Sequence, residues 1–322
     1  MTRRRLLVIA AAAALLGGVI YLNTPPVLVN AALAPELPDD IESWLADRER
    51  QAATQYALIP ETEKRVTWYG EPGERTAYAV VNLHGFSATR QETAPLAERV
   101  ATALAANLFE TRLSGHGHEE RPMHGVRAED WLEDTAEAFA IGARLGKKIV
   151  VIGTSTGGTL ALAMSDHETA AAVSDIVLIS PNLRPKDNKA AWLTWPAGPL
   201  FAKLINGETR SWEPHNELQA RFWSTSYPIE AAVEVMRLVN SVRSRLPMQL
   251  EQNLLVLQSP DDAVVSPEAT RRAFERISAP RKRLIEIEYA QDPSNHVLAG
   301  DILSPANTGK IAAEIATFVA ER

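Results

Sequence analysis

From about Arg65 onward, short runs of β-branched and other apolar residues alternate with longer segments that have helical periodicity. The short runs are typical of strands buried on both faces, and the longer segments place apolar residues on one face of a helix. Strands are predicted at 66–69, 77–83, 107–113, 149–152, 176–179, 254–258 and 284–289, and helices at 95–106, 128–145, 267–277 and 308–319. This alternation predicts an α/β fold, with a mainly parallel central sheet covered by helices on both faces.

The stretch Gly153-Thr154-Ser155-Thr156-Gly157 joins the fourth predicted strand to a helical segment. It fits the pattern G-x-S-x-G, in which the chain turns so sharply after a strand that the serine hydroxyl stands clear of the sheet. The same residues also fit a structural or phosphate-binding turn, although no Lys-Ser or Lys-Thr pair follows the glycines as it does in a P-loop. Ser155 is therefore a candidate nucleophile whose assignment depends on its partners.

A reactive serine needs a histidine that takes its proton and an acid that orients this histidine. His296 follows the last predicted strand, at the sheet edge where reactive groups gather, whereas His215 follows no core strand. The acid is expected after the preceding strand, where LLVLQSPDDAVV offers Asp261 and Asp262. The resulting chain order of serine, acid and histidine differs from the orders of chymotrypsin-like and subtilisin-like enzymes.

An acyl-transfer site also needs two backbone N–H groups that bind the oxyanion of the attacked carbonyl. One is expected from Thr156, directly after the candidate nucleophile. The other is expected from Phe86, because residues 80–86 consist of a strand followed by His-Gly and then Phe86. His84 is assigned to shaping this loop, without a role in proton transfer.

The motifs of this chain lie in five segments, which are LHGFSATRQE, RLSGHGHEE, VVIGTSTGG, LQSPDDAVVSP and SNHVLAG. In order and spacing, these segments resemble the α/β-hydrolase superfamily. The resemblance is strongest to its monoacylglycerol-lipase-like and serine-aminopeptidase-like bacterial branch, and it covers roughly Arg65 to the C-terminus. It implies an α/β-hydrolase fold and a catalytic triad of Ser155, Asp262 and His296. Many relatives carry a larger residue such as histidine where this chain has Thr154, so the pocket beside Ser155 is expected to differ.

The resemblance also favours Asp262 over Asp261 as the acid. Relatives commonly show a small residue at the end of the strand, the acid three positions later, and then an apolar pair. Ser259, Asp262 and the pair Val264-Val265 fit this frame. Asp261 would break it by one residue.

The implied activity is hydrolysis of carboxylic esters, carboxylesterase-like or lipase-like, through an acyl-enzyme formed with a small apolar acyl substrate. A peptidase, a thioesterase or an acyltransferase could use the same residues, and a membrane-tethered binding protein without catalysis is a further alternative. The net charge of -7 argues against a nucleic-acid partner.

No cofactor and no metal are expected. The histidines of SGHGHEERPMH, which are His116, His118 and His124, invite a metal-site interpretation. It is disfavoured because Gly115-His116-Gly117 matches the loop that the family has after this strand.

The alternation of strands and helices is interrupted between Ser180 and Leu254. The resemblance implies a helical cap here, at about residues 182–250, in which aromatic side chains either line an apolar pocket or pack the cap onto the body. The aromatic residues of this segment include Trp192, Trp195, Phe201, Trp212, Phe222, Trp223 and Tyr227.

The N-terminus carries Arg3-Arg4-Arg5 before an uncharged apolar run at residues 6–22. The length of this run lies between that of a long signal-peptide core and that of a short transmembrane helix. Residues 1–24 are therefore expected to be a signal peptide or a membrane anchor. The basic flank predicts that the rest of the chain is extracytoplasmic, in the periplasm or cell envelope, either membrane-anchored or secreted. Residues 25–60 are expected to form an extended linker, which carries Pro25, Pro26, Pro35 and Pro38, with a short helix near Trp44. The hydrolase domain is expected to follow at 61–322.

Overall fold

The computed structural model describes residues 27–195 and 207–321, together with residues 5, 9, 15, 17, 18, 198, 203 and 204. Its strands are β1 (Arg65–Thr67), β2 (Thr76–Leu83), β3 (Asn107–Glu110), β4 (Gly146–Thr154), β5 (Val173–Ile179), β6 (Thr209–Ser211), β7 (Ser226–Pro228), β8 (Met248–Gln249), β9 (Asn253–Gln258), β10 (Ile277–Ser278) and β11 (Lys282–Glu286). The α-helices of the described ranges are α1 (Ile41–Gln55), α2 (Leu96–Ala103), α3 (Ala128–Leu145), α4 (Thr156–Ala163), α5 (Glu217–Phe222), α6 (Ile229–Ser244), α7 (Pro267–Glu275) and α8 (Pro305–Ala320).

The central sheet has seven strands in the order β1-β3-β2-β4-β5-β9-β11. Strand β1 pairs with β3 in antiparallel orientation, and all the other neighbours are parallel. Successive residues point to opposite faces, so Val81 and Val151 pack into one hydrophobic core and Val80 and Val150 into the other. The prediction of an α/β fold with a mainly parallel sheet is confirmed.

Each of the seven predicted strands overlaps a strand of this sheet. Most bounds differ by one to three residues, and two of these differences have a physical reason. Strand β3 ends at Glu110, before the predicted end at residue 113, because the chain leaves the sheet there to form the loop of His116. Strand β11 begins at Lys282, earlier than predicted, because it is an edge strand. Charged side chains are tolerated at an edge, while the backbone from Lys282 onward pairs with β9.

The predicted signal or anchor segment at residues 6–22 lies outside the described residues, apart from isolated positions, and so do Pro25 and Pro26. In the ranges that the structure covers, no helix combines the length and the hydropathy that crossing a membrane requires.

The segment from Val27 to α1, which lies in the predicted linker, packs against the body of the molecule. Val27 and Ala32 are buried in the larger core. Helix α1 begins where Asp40 caps it, since the Asp40 carboxylate accepts a hydrogen bond from the Ser43 N–H at 3.0 Å. The helix is fifteen residues long, and it buries Ile41 on the main core.

The segment between β5 and β9 contains a 3₁₀ helix at Asn188–Thr194 and the elements β6, α5, β7, α6 and β8. Phe222 and Trp223 pack in a small apolar cluster with Ala88 and Val297, which belong to two loops at the carboxyl edge of the sheet. The aromatic residues of the predicted cap are buried to different extents. Trp192 and Trp195 are 59% and 62% exposed, whereas Tyr227 is buried; Phe201 lies outside the described residues.

Candidate active site

Ser155 sits at the sharp turn between β4 and α4, with a φ of 51° and a ψ of −113°. This backbone conformation is rare for a residue other than glycine, and it is typical of a functional site. Only a glycine fits at position 157, because a Cβ there would lie 2.1 Å from the carbonyl oxygen of Leu83. The Ser155 N–H donates to the carbonyl of Ile179 at 2.9 Å, which ties the turn to the end of β5.

His296 and Asp262 form a hydrogen-bonded pair. The distance from His296 Nδ1 to Asp262 Oδ2 is 2.8 Å, and both side chains are buried. Asp262 Oδ1 accepts the N–H groups of Val264 and Val265 at 2.8 and 2.9 Å. Both oxygens of Asp262 are thus held in place, whereas Asp261 is exposed and makes no contact of this kind with His296.

The loop that carries His296 is fixed by two polar side chains that the sequence interpretation missed. Asp292 Oδ2 accepts the backbone N–H groups of His296 and Val297, both at 2.9 Å. The hydroxyl of Ser180, just after β5, donates to the carbonyl of His296 at 2.7 Å. An acid four residues before a candidate histidine, on a loop at the reactive edge of the sheet, is the signal that could have identified Asp292.

The pKa of His296 is raised above its ordinary value by neighbouring carboxylates. Burial opposes protonation, but the negative charges of Asp262, Glu92 and Asp292 stabilise the imidazolium more strongly. An imidazolium is the species that a general base becomes when it takes a proton, so this environment suits proton transfer at Nε2.

The Ser155 hydroxyl and His296 are not hydrogen-bonded to each other in this structure. Both residues are nevertheless anchored to the same strand end, Ser155 through Ile179 and His296 through Ser180. Hydrogen bonds between catalytic groups are often long without substrate and tighten in the complex.

The loop after β2 carries the predicted second oxyanion donor. His84 Nε2 accepts the Leu113 N–H at 3.1 Å, so the ring proton is on Nδ1, which donates to the carbonyl of Gly85 at 2.9 Å. Burial and the neighbouring His116 lower the pKa of His84 to about 3, and the ring stays neutral. Since a trans peptide points its C=O and N–H in opposite directions, the Phe86 N–H faces away from His84.

The same loop lies directly against Ser155. A Cβ built on Gly85 would lie 3.2 Å from the Cβ of Ser155. Within the described part of the chain, neither the Phe86 N–H nor the Thr156 N–H donates a hydrogen bond to a protein acceptor. The two predicted oxyanion donors are thus available to a bound carbonyl group.

His116 holds the far end of this loop. Its Nε2 accepts the N–H of Ser87 at 3.1 Å and its Nδ1 donates to the carbonyl of Ser114 at 3.0 Å. Burial lowers the pKa of His116 to about 4, so it remains neutral as well. His118 instead stacks on Tyr56. Among the described residues, no group of three or more histidine or carboxylate side chains is arranged to hold a metal ion.

Phe86 forms the centre of an aromatic wall beside the loop. Its ring packs edge to face against Tyr227 at 4.8 Å, Trp131 at 5.9 Å and His116 at 5.8 Å between ring centroids. The N–H of Ser224, in the segment between β5 and β9, donates to the carbonyl of Ser87 at 2.7 Å. This hydrogen bond joins that segment to the loop of Phe86.

Comparisons with known proteins agree with this geometry. The family model Hydrolase_4, described as serine aminopeptidase, S33, matches residues 74–291. A thermostable monoacylglycerol lipase of Bacillus sp. (strain H-257) is 25% identical over 251 residues, which are 78% of this chain and 93% of the lipase.

Similar folds occur among solved structures of lipolytic enzymes. One, described with LipS and LipT as metagenome-derived lipolytic enzymes, has a TM-score of 0.67 at 21% identity and covers 82% of this chain and all of its own. The monoacylglycerol lipase of Paleococcus ferrophilus has a TM-score of 0.59 at 15% identity, over 80% of this chain and 98% of its own.

Proposed function

Because the chain belongs to the serine aminopeptidase S33 family and is a lipase- and esterase-like α/β-hydrolase, we propose that it cleaves carboxylic esters through an acyl-enzyme on Ser155. The observation that carries this proposal is the pairing of His296 with the Asp262 carboxylate at the strand end to which the strained Ser155 turn is anchored. Fold likeness alone would not support it, since one fold hosts many activities.

In the proposed reaction each of these groups has a defined role. His296 Nε2 takes the proton of the Ser155 hydroxyl as Oγ attacks the ester carbonyl carbon, and Asp262 stabilises the imidazolium that forms. The N–H groups of Phe86 and Thr156 bind the oxyanion. His296 then gives its proton to the leaving alcohol, which leaves an acyl group on Ser155. Water, deprotonated by His296, then attacks the acyl carbon. The bond from that carbon to Ser155 Oγ breaks as His296 returns the proton to Oγ, and the carboxylic acid is released.

An apolar acyl group suits the surroundings of Ser155 better than a free amino terminus does. Phe86, which is partly exposed and packs against the buried rings of Tyr227 and Trp131, offers an apolar contact. The carboxylates beside His296 are committed to backbone N–H groups, Glu92 to Gly85 and Asp292 to the loop of His296. Both carboxylates are also buried, so neither is exposed to the ammonium group that an aminopeptidase would bind.

We expect butyrate and octanoate esters, including monoacylglycerols of those chain lengths, to be cleaved with higher kcat/KM than aminoacyl amides, by at least about tenfold. The measurement compares kcat/KM for both classes with the same purified protein. A fluorophosphonate probe, which reacts only with an activated serine, serves as a reporter that is independent of substrate. Faster cleavage of the aminoacyl amides would favour the aminopeptidase alternative, and failure of the probe to label the protein would contradict the serine mechanism.

We also propose that the hydrolase domain is extracytoplasmic, and the motivation is the Arg3-Arg4-Arg5 flank before the apolar run at residues 6–22. Alkaline phosphatase fused after residue 60 should be active, because this reporter matures only outside the cytoplasm. The matched control is the same fusion without residues 2–24, which should be inactive. An inactive full-length fusion at normal expression would contradict this location.

A further inference from the structure

Glu92 is a buried carboxylate directly behind the loop that carries Phe86. It ends the 3₁₀ helix Arg90–Glu92 and is 3% exposed. Its Oε2 accepts the backbone N–H of Gly85 at 2.7 Å. A Cβ on Gly85 would lie 2.8 and 3.1 Å from the two carboxylate oxygens, so a larger residue at position 85 would displace the carboxylate from this close contact.

The same residue also lies against the loop of His296. A Cβ on Gly300, four residues after His296, would lie 2.6 Å from the backbone carbonyl oxygen of Glu92. The titratable groups that face the Glu92 carboxylate are His296 and Asp292, both on this loop. Glu92 therefore contacts two of the loops that supply groups to the proposed reaction, the loop of Phe86 and the loop of His296.

No lysine or arginine of the described ranges forms an ion pair with Glu92. The adjacent Arg90 reaches Glu63 and Glu110 instead. Burial consequently raises the pKa of Glu92 to about 7, although the Gly85 N–H and His296 favour the charged form. A buried carboxylate without a cationic partner is costly to stability, and such groups are concentrated at functional sites.

The hydrogen bonds around Gly85 fix the direction of the oxyanion donor. His84 holds the carbonyl of Gly85, and Glu92 holds its N–H. The two peptide groups that flank the Gly85 Cα are thus both fixed, which leaves the Phe86 N–H no freedom to rotate. We propose that Glu92 is a positioning residue that keeps the Phe86 N–H aimed at the oxyanion and stabilises the imidazolium of His296 by its charge. This proposal rests on the proposed ester hydrolysis at Ser155.

The two roles of Glu92 can be separated by two substitutions. Glu92→Gln keeps an oxygen that can accept the Gly85 N–H but removes the charge, whereas Glu92→Ala removes both. Because the negative charge of Glu92 raises the pKa of His296, its removal lowers that pKa. His296 then stays neutral, and able to act as a base, to lower pH.

The experiment measures kcat, KM and the rate of fluorophosphonate labelling with a butyrate ester from about pH 5 to about pH 9. Wild type, Glu92→Gln and Glu92→Ala are compared with Glu63→Gln. This control removes the half-exposed carboxylate of Glu63, which pairs with Arg90 in the 3₁₀ helix of Glu92 but does not face the site. Thermal unfolding of each protein reports whether it is folded.

We expect Glu92→Ala to lower kcat by about 100-fold with KM changed less than about threefold, since one oxyanion donor loses its alignment. Glu92→Gln should recover most of this kcat at high pH, to within about tenfold of wild type, because the acceptor is restored. The acid limb of its pH profile should lie at lower pH than that of the wild type. Glu63→Gln should match the wild type in every quantity.

The role of Glu92 is overturned if folded Glu92→Ala keeps the wild-type kcat, or if its loss appears only in KM. An acid limb of Glu92→Gln that coincides with the wild-type limb rejects the effect on His296. If Glu92→Ala does not fold, the position of the acid limb in the pH profile of Glu92→Gln alone decides whether the proposal stands. A wild type that neither turns over esters nor reacts with the probe overturns the proposed function itself, whereas a reactive wild type with unaffected variants rejects only the role of Glu92.

Discussion

Ser155→Ala should abolish nearly all ester hydrolysis, with kcat lower by about 10⁴- to 10⁶-fold, because members of a triad act as a unit. Without Oγ no acyl-enzyme can form, and the remaining oxyanion donors can only assist direct attack by water. The substitution removes a single buried oxygen from a turn whose backbone is tied to Ile179 and Asn182, so the fold should persist. Steady-state kinetics, probe labelling and thermal unfolding measure these effects.

The matched control for this variant is Ser165→Ala. Ser165 is also buried and also lies close to α4, but its hydroxyl only donates to the carbonyl of Leu162 at 2.9 Å. This variant should keep its activity and its reaction with the probe. Ser155→Ala retaining more than about a tenth of the wild-type kcat would remove Ser155 from the role of nucleophile.

Asp262→Asn should lower kcat by about 10⁴-fold through the tautomer of His296. Asp262 Oδ1 accepts two backbone N–H groups, so an asparagine in its place keeps its carbonyl oxygen there and turns its amide NH₂ toward His296. An NH₂ group donates a hydrogen bond, so Nδ1 becomes the acceptor and the ring proton moves to Nε2. His296 is then unable to accept the proton of Ser155.

Asp261→Asn is the matched control, since it makes the same chemical change one residue away on the exposed side of the turn. We expect it to change kcat less than about threefold. If the two variants exchange these effects, the acid of the site is Asp261 and the frame derived from Ser259 and Val264-Val265 is wrong. Both variants should also be compared for probe labelling, which depends on the same proton transfer.

The order of strands and helices was accessible from the sequence because it depends on local periodicity. Runs such as residues 149–152 are apolar on both faces, which predicts a buried parallel strand, and this strand is observed within β4. The turn at Ser155 was accessible for a similar reason, since glycine at 153 and 157 reports a backbone that no larger residue permits. Chain order predicted that His296 pairs with Asp261 or Asp262, and the resemblance favoured Asp262. The structure brings His296 and Asp262 together.

Other features were not accessible because residues distant in the chain create them. In the sequence, Glu92 is an ordinary acid in a polar loop. Its burial, its bond to Gly85 and its contact with the loop of His296 arise only when segments some two hundred residues apart pack together. The same holds for Ser180 and His296, whose hydrogen bond spans 116 positions. A sequence pattern does not indicate the distance in space between such groups.

By itself, the sequence determined the fold class, the sharp turn at Ser155, and a candidate set of Ser155, His296 and one of the two adjacent acids Asp261 and Asp262. These follow from periodicity, from residue types with narrow conformational tolerance, and from the order of strand ends along a parallel sheet. The tertiary structure decided which of two adjacent aspartates meets His296 and that residues 27–55 pack on the body. It also decided that Glu92 is buried with a pKa near 7. The physical reason is that contact, burial and the resulting pKa values depend on distances between chain segments, which only packing of the whole domain sets.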